Sequence, residues 1–276
     1  MIEYKRKDHY DINDYREIIK LLRTPEGCPW DREQTHESIR ANLLEEAYEA
    51  AEAIDSGDTE NLKEELGDVL MQVLLHSRME EERGVFSLDD VADTSCKKLI
   101  FRHPHVFGSS AAESSAEALD SWEAAKRVEK SQKTVSESIE AVCKALPALW
   151  RAEKIQKKTA KVGFDFRDIN EALAKLREET DELSEGINQS DRENMEEELG
   201  DILFSAVNVA RFLHIDPEAA LNKASEKYAK RFEFVERTAL KSGQKLENMS
   251  LEELEKLYQR ARMELEGKEI QISLDN

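Results

Sequence analysis

The sequence contains few glycines, prolines and aromatic residues for a chain of its length. Its 276 residues include only ten glycines and five prolines, and aromatic residues make up 7% of the total. These low counts argue against an architecture of short strands and tight turns, whereas a charged fraction of 36% is typical of long helices. We therefore expect an all-α protein, and the length gives room for two domains, each with its own core.

Cysteines and long apolar runs are also scarce. Cys28, Cys96 and Cys143 are odd in number, far apart and form no CxxC pair. This pattern favours three free thiols in a reducing cytosol over a disulfide framework or a zinc site. The N-terminal residues lack the apolar core of a signal peptide, and the longest apolar run, residues 69–75, is too short to span a bilayer. We expect a soluble, cytoplasmic protein.

Acidic residues outnumber basic residues in the chain as a whole. Forty lysines and arginines stand against sixty acidic residues, which gives a formal net charge of −20. Nucleic acids and anionic membranes are themselves negative, so a general electrostatic attraction to either is excluded and we expect neither as a partner. An anionic substrate would need a local group of cations.

A tandem repeat organises the chain. The segment "LLEEAYEAAEAIDSGDTENLKEELGDVL" returns 133 residues later as "LREETDELSEGINQSDRENMEEELGDIL", and residues 43–74 share 15 identities in 32 positions with the second copy. We predict a duplicated helical bundle with four or five helices per copy. The predicted domains cover residues 1–130 and 141–276, joined by a linker over 131–140, and the small, polar residues 108–118 are predicted to form a loop.

The first acidic helix places its glutamates on two different sides. At 100° per residue, Glu46 and Glu49 fall at the edge of an apolar arc, where a neighbouring helix would cover them. Glu45 and Glu52 lie well away from it and are predicted to be solvated. The arc consists of Leu43, Ala47, Ala50, Ala51 and Ile54.

The next helix, "ELGDVLMQVLLH", is apolar nearly all round and is predicted to be central and buried. Its only polar stripe consists of Glu65, Asp68, Gln72 and His76. Carboxylates that meet at a buried seam are costly unless a cation neutralises them, and an all-oxygen set suits Mg²⁺ or Mn²⁺. The predicted metal ligands are therefore Glu46, Glu49, Glu65 and Asp68, with Glu179, Glu182, Glu198 and Asp201 in the second copy.

Two other interpretations of these acids remain open at this stage. A glutamate-rich helix can simply present a solvated acidic face, although the repetition of both motifs argues against it. A di-iron carboxylate bundle also draws acids from facing helices, but it requires Glu-x-x-His pairs. Both second motifs here are Glu-x-x-Asp, and the one Glu-x-x-His, at Glu33 and His36, is not repeated.

Each copy also carries a basic pair and an aromatic residue. The pairs, four residues apart, are Lys98 with Arg102 and Lys227 with Arg231. They are predicted to contact phosphate, with solubility as the alternative. A weaker match sets Trp122 opposite Tyr258, either as stacking surfaces for a nucleobase or as core residues. The basic segment 144–161 either lines the second site or balances the acidic helices.

Several motifs together resemble MazG-type nucleoside triphosphate pyrophosphohydrolases. They are "GCPWDREQTH", "LLEEAYEAAEAI", "KEELGDVL", "FRHPHVFG", "LPALWRAEKIQKKTAKVGFDF" and "EEELGDIL", which span nearly the whole chain. The resemblance implies a tandem pair of all-α domains and a homodimer. It also implies Mg²⁺-dependent hydrolysis of nucleoside triphosphates to the monophosphate and pyrophosphate.

The resemblance also assigns individual residues. In the second domain it implies metal ligation by the four acids named above and nucleotide contacts by Lys175, Lys227, Arg231 and Tyr258. The first domain keeps its acids, Lys98 and Arg102. However, Asn42 stands where the second copy has Lys175, and this departure puts the activity of the first site in question.

For the reaction itself we expect water as the nucleophile, with Glu182 or Glu49 orienting or deprotonating it. An enzyme alternative keeps the fold but narrows the substrate to dUTP, dCTP or phosphoribosyl-ATP. A non-enzymatic alternative is an acidic helical protein whose glutamates bind a basic partner.

Overall fold

A computed structural model describes residue 2 and residues 4–109, 111–130 and 133–274, with side chains as far as residue 266. Thirteen α-helices and one 3₁₀ turn account for most of this described part, and it contains no β-strand. The prediction of an all-α, duplicated architecture is confirmed. Within the same residues, no helix is both long enough and apolar enough to span a membrane.

The chain divides into two units, Met1–Lys130 and Ser131–Asn276. In the first, α4 is the central helix and packs against α1, α3 and α5. Its core is formed by the buried residues Ile19, Ile39, Leu74, Leu75 and Met79. The helices are α1 (Ile12–Leu22), α2 (Pro29–Glu33), α3 (Arg40–Ser56), α4 (Thr59–Glu82), α5 (Leu88–Arg102), α6 (Pro104–Phe107) and α7 (Ser115–Glu129).

The second unit is built around a long hairpin of two helices, α10 and α11. The α9 helix packs against α11, and α12 pairs with α13. The helices are α8 (Val135–Glu140), α9 (Ala148–Ala160), α10 (Ile169–Gln189), α11 (Arg192–Phe212), α12 (Pro217–Lys241) and α13 (Leu251–Leu274), with a 3₁₀ turn at Leu246–Asn248.

The repeat is preserved in the backbone of the turn that joins each pair of acidic helices. Gly57 ends α3 in the left-handed region at φ 71°, and Ser190 ends α10 there at φ 57°. The next residue caps the following helix in both units, because Asp58 and Asp191 each accept a hydrogen bond from the backbone N–H three residues later. The same turn therefore sets both acidic hairpins.

Two predicted irregular segments are partly helical. The linker prediction over 131–140 is wrong for its second half, where α8 begins after Thr134 with a capping box to Glu137. The predicted loop over 108–118 ends earlier than expected, because Ser114 caps α7. Both helix starts are fixed by a local side-chain cap, a signal that hydrophobic periodicity does not detect.

The predicted apolar arc of α3 is also wrong in part. Ala50 and Ala53 are buried, whereas Ile54 is 61% exposed and Ala47 and Ala51 face solvent. Packing against α4 selects the side that carries Glu46, Ala50 and Ala53, since two small residues let the helices approach closely. The larger apolar side of α3 is left uncovered in a single chain.

Substitutions at the two residues with left-handed backbone, Gly57 and Ser190, test this fold because they should change stability in different ways. Gly57→Ala should lower the free energy of unfolding by about 1–2 kcal/mol, because a Cβ disfavours positive φ. Open space surrounds Gly57, so no clash adds to this cost. Ser190→Gly should leave stability unchanged or raise it slightly. Urea unfolding of both variants measures the two effects, and equal destabilisation by both would contradict the assigned backbone.

Candidate metal and nucleotide site

The first unit brings three carboxylates together at the seam between two helices. Glu46 and Glu49 extend from α3 and Glu65 from α4, and one oxygen from each lies within 4.8 Å of the others. Glu46 and Glu65 are half-buried and Glu49 is exposed. The i,i+3 spacing on α3 places both glutamates on the side that faces α4.

Electrostatic repulsion is concentrated at this seam. Burial raises the pKa of Glu46, and the charges of Asp68 and Glu49 raise it further. Burial and Glu49 do the same for the pKa of Glu65. Asp68 therefore lies close enough to act on Glu46, although it is not part of the three-carboxylate group. The cluster holds more negative charge than its surroundings neutralise.

The second unit repeats the arrangement with Glu179, Glu182 and Glu198, again within 4.8 Å of one another. Glu179 is 5% exposed, and Asn194 donates a hydrogen bond from Nδ2 to Glu198 Oε1 at 2.9 Å. A hydrogen bond with Glu179, assisted by burial, raises the pKa of Glu182. Asp201 again lies outside the closest group.

The two clusters differ in one neighbouring cation, which only the second unit has. Lys175 Nζ lies 2.8 Å from Glu178 Oε1 and 3.0 Å from Glu179 Oε1. These hydrogen bonds raise the pKa of Lys175 above its ordinary value, so the ammonium stays charged. The first unit has Asn42 at the same position of the repeat, which carries no charge.

The donor chemistry of both clusters suits a hard divalent cation. Each offers only carboxylate oxygens, from two helices, and the acid in the next turn of the second helix is close by. Mg²⁺ and Mn²⁺ accept such ligands while keeping several waters. The raised carboxyl pKa values are the physical sign of a site that a cation would stabilise.

A cavity of about 460 Å³ adjoins the acid cluster of the second unit. Lys175, Glu179 and Asp201 form one part of its wall. The rest includes Phe164, Phe166, Phe204, Gln156, Asn208 and Arg211. A mainly apolar pocket with a few polar groups is typical of small-molecule sites, and this volume is sufficient for a nucleoside.

Two polar side chains of this cavity, Gln156 and Arg211, donate hydrogen bonds to other protein groups, while the buried Gln156 Oε1 has no partner among the described residues. Gln156 is 4% exposed and donates from Nε2 to the backbone oxygen of Phe204 at 2.8 Å. Arg211 donates to Asp165 Oδ2 at 2.9 Å and to Asn208 Oδ1 at 3.0 Å. The sequence analysis missed these residues, although the quoted "VGFDF" motif contains Asp165 and both cavity phenylalanines outside α11.

The α9 helix, which contains most of the basic segment 144–161, lines this cavity with Ile155, Gln156 and Thr159. The three residues that α9 contributes to the wall are uncharged, and Lys157 pairs instead with Glu153 on the same helix. The basic segment therefore contributes to the site through its neutral face.

The predicted arginines lie beside the predicted aromatic residues in both units. The guanidinium of Arg102 is 5.3 Å from the ring centre of Trp122, and that of Arg231 is 5.7 Å from Tyr258. Each arginine also forms an ion pair that the sequence analysis missed, with Glu129 and Glu266 respectively. The repeat therefore extends to an arginine, an aromatic ring and a glutamate.

The structure does not bring the basic pairs into contact with the acids. Among the described residues, no hydrogen bond or ion pair links Lys98, Arg102, Lys227 or Arg231 to either carboxylate cluster. Lys98 is half-buried and Lys227 is exposed. Lys175, by contrast, is a predicted substrate-binding cation that does contact a predicted metal ligand, Glu179.

A histidine pair continues the polar stripe of α4. His36 Nδ1 lies 2.7 Å from His76 Nδ1, and His36 Nε2 lies 2.7 Å from Glu80 Oε1. Burial lowers the pKa of His76, while the hydrogen bond from His36 lowers that of Glu80. The sequence predicts His76 on the polar stripe, but no short pattern predicts its contact with His36, which lies forty residues away in the chain.

Comparison with known proteins matches both units to one family. The model of the MazG nucleotide pyrophosphohydrolase domain matches residues 34–107 and 167–235. A nucleoside triphosphate pyrophosphohydrolase/pyrophosphatase MazG from Thermotoga maritima is 45% identical over 89% of this chain and 93% of its own length. The nucleoside triphosphate pyrophosphohydrolase of Escherichia coli K12 is 43% identical over 89% of this chain and 94% of its own length. An uncharacterized protein, YabN, from Bacillus subtilis is 45% identical over 92% of this chain and 52% of its own length.

Repulsion at the first seam gives a testable pH dependence. The folded state holds the Glu46 proton more tightly than the unfolded chain does, so this residue destabilises the fold as pH rises through its raised pKa. In EDTA at pH 7, Glu46→Gln should raise the Tm by roughly 1–3 °C. The gain should vanish near pH 4, where the wild-type carboxyl is protonated as well.

Glu45→Gln is the matched control, because Glu45 is an exposed glutamate of α3 that is not among the three converging carboxylates. It should leave the Tm unchanged at both pH values. An equal gain from both variants would show that net charge, and not the seam, is responsible.

Proposed function

The chain belongs to the MazG nucleotide pyrophosphohydrolase family, and on that premise we propose that it hydrolyses ribo- and deoxyribonucleoside triphosphates, ATP included, to the monophosphate and pyrophosphate. The observation that supports this most directly is the cavity of the second unit, which joins a nucleoside-sized space to Lys175, Glu179 and Asp201. A triphosphate whose nucleoside fills the cavity would reach the carboxylate cluster.

The proposed metal is Mg²⁺, with Mn²⁺ as a substitute. Its ligands would be Glu179, Glu182, Glu198 and Asp201 in the second unit, and Glu46, Glu49, Glu65 and Asp68 in the first. When bound, the metal would neutralise phosphate charge that builds up in the transition state.

The second unit is proposed to carry the main activity. Water attacks phosphorus at the anhydride between the α- and β-phosphates, and the bridging oxygen leaves with its electron pair. Glu182 is the proposed base, because it is exposed at the seam and its raised pKa suits proton transfer better than that of an ordinary glutamate. Glu49 is the equivalent residue in the first unit.

The basic residues are proposed to bind phosphate oxygens. Lys175 is already beside the metal ligands, and exposed Lys227 is available at the surface. Arg231 holds Glu266 and Arg102 holds Glu129, so phosphate would have to replace a glutamate partner at each arginine. Tyr258 and Trp122 then serve mainly to orient these guanidinium groups, and Lys98 would assist in the first unit.

We also propose that the protein is a cytoplasmic homodimer. The uncovered side of α3 is an apolar stripe at helical spacing, with Leu44 at 44%, Tyr48 at 52% and Ile54 at 61% exposure. The equivalent positions of α10 carry Arg177, Thr180, Asp181, Ser184 and Ile187, so only one of these five is apolar. Pairing of two α3 stripes would bury this surface. The three free cysteines fit a reducing compartment.

Product analysis tests the reaction. With Mg²⁺ and a panel of nucleoside triphosphates, the expected products are the monophosphate and pyrophosphate, resolved by ³¹P NMR. Release of orthophosphate and the diphosphate would contradict the proposal, and turnover of dUTP, dCTP or phosphoribosyl-ATP alone would narrow it.

Single substitutions test the proposed base. Glu182→Gln should lower kcat by about 10²–10⁴-fold, since it removes a proton acceptor and a metal ligand. Glu185→Gln, an exposed residue one turn further along α10, should retain wild-type turnover. Glu49→Gln should have the smaller effect. Full turnover after Glu182→Gln and Glu49→Gln are combined would contradict the proposed roles of both residues. A non-enzymatic acidic protein would instead show no turnover in the wild type and would keep its function in the double variant.

The α3 stripe tests the homodimer. Leu44→Glu combined with Ile54→Glu should convert the dimer to a monomer, because each chain would then place two charges in the apolar contact. Light scattering after size-exclusion chromatography measures the mass. Ile187→Glu is the matched control, because Ile187 occupies the position of Ile54 in the second copy and is 56% exposed there. A dimer that persists in the double variant would rule out the α3 contact.

A further inference from the structure

The two carboxylate clusters of one chain differ in a single charged residue. Each has three glutamates at the seam and an aspartate in the next turn, with the same spacing in both copies. At the position one turn before Glu179 the second unit has Lys175, whereas the first unit has Asn42 before Glu46. An asparagine amide cannot replace an ammonium charge.

Lys175 uses this charge inside the cluster. Its Nζ lies 3.0 Å from Glu179 Oε1, the most buried carboxylate of the set, and 2.8 Å from Glu178 Oε1. Glu179 is itself one of the three glutamates whose oxygens converge. The lysine therefore supplies part of the positive charge that a divalent metal would otherwise provide.

An ammonium group and a metal ion compete for the same carboxylate. A Mg²⁺ ligand oxygen lies about 2.0–2.1 Å from the ion, so a cation already hydrogen-bonded to that oxygen would be repelled at close range. The lysine side chain is flexible and 35% exposed, and it lines the cavity where a nucleotide would be held. Phosphate oxygens in that space would provide it with a new partner.

We propose that Lys175 is an internal counter-ion of the second metal site, so that the second unit binds metal together with a triphosphate, whereas the first unit binds free metal. In the second unit the ammonium of Lys175 would leave Glu179 for a phosphate oxygen when the four acids hold the metal and its triphosphate. Among the described residues of the first unit, no cation forms an ion pair with the cluster, so none has to leave. This inference rests on the proposed function and adds an order of binding to it.

The order of binding is tested by titrating the full chain with Mn²⁺. The loss of the free-ion EPR signal measures how much Mn²⁺ is bound. Glu49→Gln isolates the second site and Glu182→Gln isolates the first. Without nucleotide, the isolated second site should bind Mn²⁺ about tenfold or more weakly than the isolated first site. Adding α,β-methylene-ATP should strengthen Mn²⁺ binding at the second site by a similar factor.

Substitutions at the lysine position separate its role from net charge. In the chain with Glu49→Gln, Lys175→Asn should tighten the binding of free Mn²⁺ about tenfold and weaken the binding of α,β-methylene-ATP. Lys175→Arg should keep the weak binding. Arg177→Asn, which removes an exposed cation from the same helix, should change neither. In the chain with Glu182→Gln, Asn42→Lys should weaken Mn²⁺ binding about tenfold.

Two results would overturn the proposal. One is equal affinity of the two isolated sites for free Mn²⁺, and the other is a shift from Lys175→Asn no larger than that from Arg177→Asn. Failure of the proposed function would look different: no Mn²⁺ would bind at either isolated site even with the analogue present, and wild-type protein would form no monophosphate.

Discussion

Mutual repulsion among carboxylates at the seam of two paired helices is the constraint on which the molecule depends. Packing of α3 on α4, and of α10 on α11, brings three glutamates in each unit within 4.8 Å of one another. Small buried residues such as Ala50 and Ala53 allow this approach. The apolar packing of the hairpins holds the acids in place, and a bound cation would relieve the repulsion.

The two units satisfy this constraint in different ways. In the second unit, Lys175 partly neutralises the cluster, Asn194 positions Glu198, and the cavity adjoins the acids. In the first unit, Asn42 leaves the charge unrelieved, and Leu75, at the position of the cavity residue Asn208, is part of the hydrophobic core. Duplication therefore kept the seam while the surroundings diverged.

The sequence predicted what depends on local helix geometry. Periodicity and the repeat located the seam and its glutamates, because residues three or four apart share a side of a helix whatever the tertiary context. Periodicity does not decide which apolar side of α3 is covered, so the predicted apolar arc includes Ile54, which is exposed. The short α8 escaped notice because its signal is a capping box, Thr134 with Glu137, and not a hydrophobic repeat.

Contacts between distant segments could not be predicted from short patterns. Glu129 and Glu266, which hold the two arginines, lie 27 and 35 residues further along the chain. The cavity needs α9, α10, α11 and the segment before α10 together, and no single motif encodes that meeting. The resemblance supplied residue roles that geometry alone had left open, including that of Lys175.

The central claim is that the carboxylate clusters at the two helix seams are metal sites. Anomalous X-ray diffraction from crystals grown with Mn²⁺ and α,β-methylene-ATP tests it most directly. The account predicts a peak between Glu179, Glu182 and Glu198, and another between Glu46, Glu49 and Glu65. Ordered nucleotide with no anomalous peak at either seam, or Mn²⁺ bound only elsewhere, for example at His36 and His76, would contradict it.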